Sequence, residues 1–157
     1  MKKIASFQVD HTCMSEGLYI SRVDGDIVTY DIRMIKPNTP PYLDMAAVHT
    51  LEHIFATYAR NQYEGNIIYF GPMGCRTGFY LLTKGLAHEC VISLVRQAMQ
   101  FIAAFQGDIP GVSAAECGNY QAHDLPKAKE YAVAMGRVLE NWQVAQLEYA
   151  SSGLPTI

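Results

Sequence analysis

The stretch His49-Thr50-Leu51-Glu52-His53 sets two imidazoles four residues apart, with a carboxylate between them. On an α-helix, positions i, i+3 and i+4 share one face. Both rings can then reach one metal ion, with Glu52 beside it. The flanking residues carry the same period: Val48, Leu51, Phe55 and Tyr58 form an apolar stripe. His49, Glu52, His53 and Ala56 run alongside that stripe rather than opposite it. They belong at the margin of a core, where ligands are shielded yet reachable. Asp44 is a suitable N-cap and Gly65 a suitable stop, so the expected helix covers 45–63. Arg60 falls two turns beyond Glu52 on nearly the same side.

Upstream, Asp24-Gly25 separates two apolar runs, 18–23 and 26–35. That pair tolerates positive φ and is a strong hairpin signal. In the second run Val28, Tyr30, Ile32 and Met34 point one way, and Thr29, Asp31 and Arg33 the other. The first set reads as buried, and Arg33 as solvated or paired with Asp31. Pro37, Pro40 and Pro41 end the strand. The segment 6–11 alternates as a short strand or extended arm, with His11 at its end.

Downstream, short strands are expected at 66–70 and 79–83. Between them, 71–78 holds three glycines, a proline, Cys75 and Arg76. Backbone N–H groups in such a loop, together with the Arg76 charge, suit a sulfur that takes part in chemistry. Val91, Leu94, Val95, Ala98, Ile102 and Phe105 predict a helix over 88–105. The Gly107-to-Gly111 stretch breaks it. Residues 114–123 have no clean period and read as loop or turn around Cys117. A last helix starts near Asp124 with Pro126 in its first turn. Its apolar face is expected to be Ala128, Tyr131, Met135, Val138, Trp142 and Ala145.

With 157 residues, half of them hydrophobic, the chain is long enough for one core and one domain, taken as 1–157. A net charge of −3 without a Lys/Arg cluster argues against nucleic acid and anionic membranes as partners. There is no run of about 18 apolar residues. The two lysines after Met1 have no apolar segment behind them, so a cytoplasmic location is expected. Four cysteines, Cys13, Cys75, Cys90 and Cys117, lie far apart without a CxxC and read as thiols. The architecture expected is α+β. Four or five mostly antiparallel strands are covered on one face by about three helices, and the opposite face, with Arg33, meets a second copy of the chain.

A catalytic zinc-type site has three protein ligands and one open position. His49 and His53 supply two. The third is left open by spacing among Cys13, Cys75, Cys90, Cys117, His11, His88 and His123. A His2Cys set suits Zn2+ or Fe2+. If one of Cys75 and Cys117 ligates, the other is free as an acid or base, and Glu52 is the natural second one. H-x-x-E-H is also the pattern of inverzincin-type metallopeptidases. Those need a distal acidic ligand and a longer chain to hold a peptide. A non-catalytic metal or redox-sensing module is the third alternative.

Several pieces in order resemble one family. They are Ser6-Phe7 with Asp10-His11-Thr12, Asp31-Ile32-Arg33 with Pro37-Asn38, and His49-Thr50-Leu51-Glu52-His53. Pro72-Met73-Gly74-Cys75-Arg76-Thr77-Gly78-Phe79-Tyr80 follows, then Cys117-Gly118 with Tyr120 and His123-Asp124-Leu125. The chain resembles the S-ribosylhomocysteine lyases, the LuxS family of autoinducer-2 synthesis, over nearly its whole length. The resemblance implies that His49, His53 and Cys117 hold the metal, Fe2+ for activity with Zn2+ or Co2+ as substitutes. It implies that Glu52 and Cys75 are the acid/base pair. It further implies that Ser6, His11 and Arg33 line a substrate pocket across a homodimer interface, with Arg60 near the substrate. The implied reaction cleaves S-ribosylhomocysteine to homocysteine and 4,5-dihydroxy-2,3-pentanedione. One departure is clear. Tyr69-Phe70-Gly71 stands where the family usually reads Asp-Ile-Ser, so a carboxylate commonly near the substrate's amino-acid end is missing.

Overall fold

The computed structural model describes residues 9–149. Two strands, β1 (Gly17–Asp24) and β2 (Ile27–Arg33), form the first hairpin, turned at Gly25 with φ +63°. Helix α1 (Met45–Gln62) follows, then a second hairpin of β3 (Ile67–Pro72) and β4 (Gly78–Lys84). Helices α2 (His88–Ala104) and α3 (Leu125–Val138) complete the fold, with a short 3-10 turn at Val144–Gln146. The four strands make one antiparallel sheet in the order β1-β2-β4-β3. Among the described residues this is the expected α+β architecture, with four strands and three helices.

Alternation along the strands decides what meets the helices. Tyr30 and Ile32 of β2 sit opposite Leu81 and Phe79 of β4, and all four are buried. Leu18 and Phe70 join them from the outer strands. Val48, Leu51, Ile54 and Phe55 of α1 and Val91, Leu94, Val95 and Ile102 of α2 close the same core. Phe55, Phe70 and Phe79 stack in series, with ring centroids 3.9 and 4.9 Å apart. Tyr30 reaches out of this core to His88 at the start of α2, 2.6 Å from Oη to Nδ1.

Helix α1 begins where expected. The Asp44 carboxylate accepts from the amides of Ala46 and Ala47 at 2.9 and 3.2 Å, filling two of the donors a helix start leaves open. Its far end closes at Tyr63, followed by Gly65 at φ +81°. Helix α3 is shorter than its apolar pattern suggested. It stops at Val138, so Trp142 and Ala145 are not on its face. The Trp142 indole instead donates to Leu18 O at 3.1 Å, and its ring fills the space above Gly17. Periodicity alone does not separate a helical residue from one that returns to the core through a turn. The thiol loop is also tighter than expected, because β3 runs to Pro72 and β4 starts at Gly78.

Candidate metal centre and thiol pocket

His49 and His53 project from one face of α1, and both are half-buried. Their rings lie 4.5 Å apart at 87°. His49 Nδ1 is 2.9 Å from Ala122 O, and His53 Nδ1 is 2.7 Å from Pro110 O. A carbonyl only accepts, so each Nδ1 carries the proton and each Nε2 is left with a bare lone pair. Imidazoles that bind metals are commonly oriented in this way by a backbone carbonyl. Both carbonyls come from the segment between α2 and α3. Gly111, at φ +69°, lets that segment pass the His53 ring, because a Cβ there would sit 3.3 Å from Nδ1.

The same segment delivers a sulfur. Cys117 lies in a turn where its amide, and that of Glu116, donate to Ser113 O at 3.0 Å. Its Sγ stands 3.3 Å from His49 Nε2 and accepts from the Asn119 amide at 3.4 Å. Spacing left the third ligand open, and folding brings Cys117 to the imidazole pair, with Cys75 outside that group. A fourth residue joins them. One ligand atom from each of His49, His53, Cys117 and His123 lies within 4.8 Å of the other three. His123 stood among the candidates by type, but a histidine in an aperiodic stretch carries no spacing signal of its own. Burial, and then the neighbouring His49 and His53, lower its pKa. The soft, half-buried donor set with both Nδ1 atoms tied back is compatible with a divalent metal ion. Glu52 is half-buried beside His49, and the two line a shallow cavity with Pro72, Asn119 and Ala122.

The junction of α1 and α3 fixes this arrangement. Asp124 caps α3 by accepting from the Lys127 amide at 2.9 Å. Its own amide donates to Thr50 Oγ1 at 3.0 Å. A residue of the metal helix thus anchors the start of α3, and the loop carrying Cys117 and His123 is held between them.

Cys75 belongs to a second, larger cavity of ≈ 490 Å³. It is lined by His11, Arg33, Asn38, Tyr42, Thr77 and Tyr80 among others, and Pro72 borders both cavities. The hairpin tip is tight. Met73 and Gly78 pair across it, and Arg76 adopts φ +58°. Gly78 is required by close approach, since a Cβ there would collide with Ile32 O. That contact sets Thr77 against β2, where its carbonyl accepts from Met34 and Ile35 at 2.9 and 3.2 Å.

Of the two expectations for Arg33, pairing with Asp31 holds and solvation does not. Arg33 is 2 % exposed, ion-paired to the buried Asp31 and hydrogen-bonded through Nη1 to Thr77 Oγ1. Tyr149 donates to Asp31 from above at 3.0 Å. Burial pushes the Asp31 carboxyl up, against the pull of the Arg33 guanidinium. With Arg33 donating to Thr77 Oγ1, the threonine hydrogen is free to point at Cys75 Sγ, 3.0 Å away. A chain of contacts thus runs from a buried ion pair to the sulfur. His11 is tied to Val9 O at 2.9 Å in the wall of this cavity. Arg60 is exposed in the last turn of α1, and Ser6 lies outside the described residues.

Among the described residues, a four-stranded α+β arrangement with imidazoles on a helix, a distant sulfur beside them and an adjoining thiol cavity defines a candidate metal centre of the H-x-x-E-H pattern. A sequence model described as S-Ribosylhomocysteinase (LuxS) matches residues 4–146, so the chain belongs to the S-ribosylhomocysteinase (LuxS) family. It is 45% identical over 156 residues to an S-ribosylhomocysteine lyase of Clostridium acetobutylicum, covering 95% of this chain and 99% of that one. An S-ribosylhomocysteine lyase of Phocaeicola vulgatus is 46% identical over 157 residues, covering 95% and 98%. One from Desulfotalea psychrophila is 46% identical over 159 residues, covering 96% and 100%. No helix among the described residues is long and apolar enough to cross a membrane.

Proposed function

We propose that this chain cleaves S-ribosylhomocysteine to homocysteine and 4,5-dihydroxy-2,3-pentanedione, the autoinducer-2 precursor, using His49, His53 and Cys117 as metal ligands. The observation that carries this reading is the approach of Cys117 Sγ to the paired imidazoles beside Glu52, in a chain of this family. A bound divalent cation, Fe2+ in this reading with Zn2+ or Co2+ as substitutes, supplies Lewis acidity toward the sugar's oxygens.

The residues do the rest by moving protons. Shifting the sugar carbonyl from C1 to C2 and then to C3 removes a proton beside a carbonyl and returns one a carbon away, twice. Glu52 and Cys75 share these transfers from two sides of the sugar. With the carbonyl at C3, the C4 proton is acidic. Its removal forms the C4–C5 double bond and breaks the C5–S bond, and the homocysteine sulfur leaves and takes up a proton. The enol left behind tautomerises to the dione. Thr77 orients Cys75, and Ser6, His11, Arg33 and Arg60 bind the substrate.

Within one chain, Glu52 and Cys75 open into cavities that share a border at Pro72. In this reading a second copy closes over both cavities in a homodimer, and the enzyme works in the cytoplasm. Light scattering reads the mass directly, and metal analysis of protein purified without oxygen reads the ion. The decisive assay follows free thiol after S-ribosylhomocysteine is added to anaerobically metallated protein. Wild type releases thiol and Cys75→Ala does not. A metallated wild type that releases none ends the proposal.

A further inference from the structure

After the 3-10 turn the chain returns along β1. Leu147 O accepts from the Ile20 amide at 2.7 Å, and the Leu147 side chain is fully buried. Two residues on, Tyr149 stacks on Tyr19 with ring centroids 5.0 Å apart. Tyr19 is the β1 partner of Asp31 in the sheet register, so the stack brings the Tyr149 phenol to Asp31. Its Oη donates to Asp31 Oδ2 at 3.0 Å. Burial, and second the Asp31 carboxylate, push that phenol far up, so the donor hydrogen stays on the oxygen.

The Asp31–Arg33 pair is joined through one carboxylate oxygen. Asp31 Oδ2 accepts from both Arg33 Nη2 and Tyr149 Oη. Among the described residues, Asp31 Oδ1 and Arg33 Nε are buried and have no partner. A guanidinium and a carboxylate with these two groups to spare frequently close into a fork of two parallel bonds. Here each half is held by a third party instead. Arg33 Nη1 is engaged by Thr77 Oγ1, and Asp31 Oδ2 by Tyr149. With Nη1 on Thr77, the threonine hydrogen is left for Cys75 Sγ, 3.0 Å away.

We propose that Tyr149 is a positioning residue for Cys75. Its phenol holds the Asp31 carboxylate by one oxygen, which keeps the Arg33 guanidinium on Thr77 and the Thr77 hydrogen on the sulfur. Without that donor, the carboxylate closes onto Nε and Nη2 of Arg33. The guanidinium turns toward Asp31, Nη1 is drawn off Thr77, and the threonine hydroxyl is no longer aimed at Cys75. A hydrogen bond donated to sulfur favours the thiolate, and the thiolate is the form that reacts. Tyr149 does not line the cavity that holds Cys75, so it acts only through Asp31, Arg33 and Thr77. The inference rests on the reading of Cys75 as one of the acid/base pair.

The test uses full-length protein purified without oxygen, as wild type, Tyr149→Phe, Thr77→Val and the double variant. Phenylalanine keeps the ring on Tyr19 and removes only the hydroxyl. Alkylation by iodoacetamide at one neutral pH is followed at each cysteine by peptide mass spectrometry, with Cys13 and Cys90 as internal references. Tyr149→Phe should slow Cys75 about tenfold relative to Cys13, the effect of losing one hydrogen bond to a charged group. Thr77→Val should slow it at least as much, and adding Tyr149→Phe to Thr77→Val should change nothing further. An unchanged Cys75 rate in Tyr149→Phe overturns the inference. The same slowing by Tyr149→Phe in the Thr77→Val background overturns it too, because the phenol would then not act through Thr77. Faster alkylation at Cys13, Cys90 and Cys75 together makes the phenol a tie that holds the fold and no more, and also overturns it. Alkylation reads the sulfur without substrate. A wild type that releases no thiol from S-ribosylhomocysteine, alongside the expected alkylation rates, ends the lyase reading and leaves the link from Tyr149 to Cys75 standing.

Discussion

The imidazole half of the site and the thiol half are built by opposite means. His49, Glu52 and His53 stand on an 18-residue helix whose other face is buried in the main core. Their positions follow from one helical turn, and their second nitrogens are fixed by carbonyls from a single loop. Cys75 stands at the exposed tip of a hairpin and is positioned by a relay, from Asp31 through Arg33 to Thr77. The helix half should therefore tolerate changes behind it, so long as α1 remains packed. The thiol half should depend on a buried charge pair that is costly to disturb.

The largest effect expected is His53→Ala. It should lower metal affinity by more than the roughly 10–100-fold that losing a group behind a ligand costs. Thiol release should disappear with it, as metal titration and the same assay would read together. Chelation of the wild type should reproduce that loss, and re-addition of metal should reverse it only in the wild type.

Next come Cys75→Ala and Glu52→Gln, each expected to cut turnover by about 10²–10⁴-fold. Both should keep a full metal complement, which separates these positions from the ligands. If either protein were isolated without metal, the division of the site into two halves would break down.

Thr77→Val should affect stability more than metal. It strips Arg33 of a buried acceptor, at a cost of about 1–3 kcal/mol by denaturant titration. Thiol release should slow while metal affinity holds. An unchanged rate would remove Thr77 from any role in orienting Cys75.

The smallest effect lies away from both halves. Burial, and second the Glu89 carboxylate, push the Tyr30 phenol up to about 12. The unfolded chain releases that proton near 10. The contribution is fully present below pH 10 and is lost as the pH rises toward 12, by about 2–3 kcal/mol in all. Tyr30→Phe should flatten the decline over that window in urea titrations.

Much of the helix half was legible because its information is local. The i, i+4 histidines, the Asp44 cap and the apolar stripe all sit within one stretch of sequence. The first hairpin was legible for the same reason, through Asp24-Gly25. The Trp142 and Ala145 expectation failed because a residue can rejoin a core after its helix has ended. Arg33 could be assigned to a strand face but not to a burial state, since alternation says nothing of what covers that face. Tyr149, far along the chain, covers it.

Sequence alone determined the elements, the sheet's inward face, the pair of imidazoles on one turn and, through motifs in order, the family. Only the tertiary structure decided which sulfur meets that pair, that His123 stands among them, and that Thr77 links Arg33 to Cys75. The physical reason is range. Secondary structure and helical faces are set by neighbours a few residues apart. A site that joins residue 49 to residue 117 exists only once α3 has been pinned to α1 through Asp124 and Thr50.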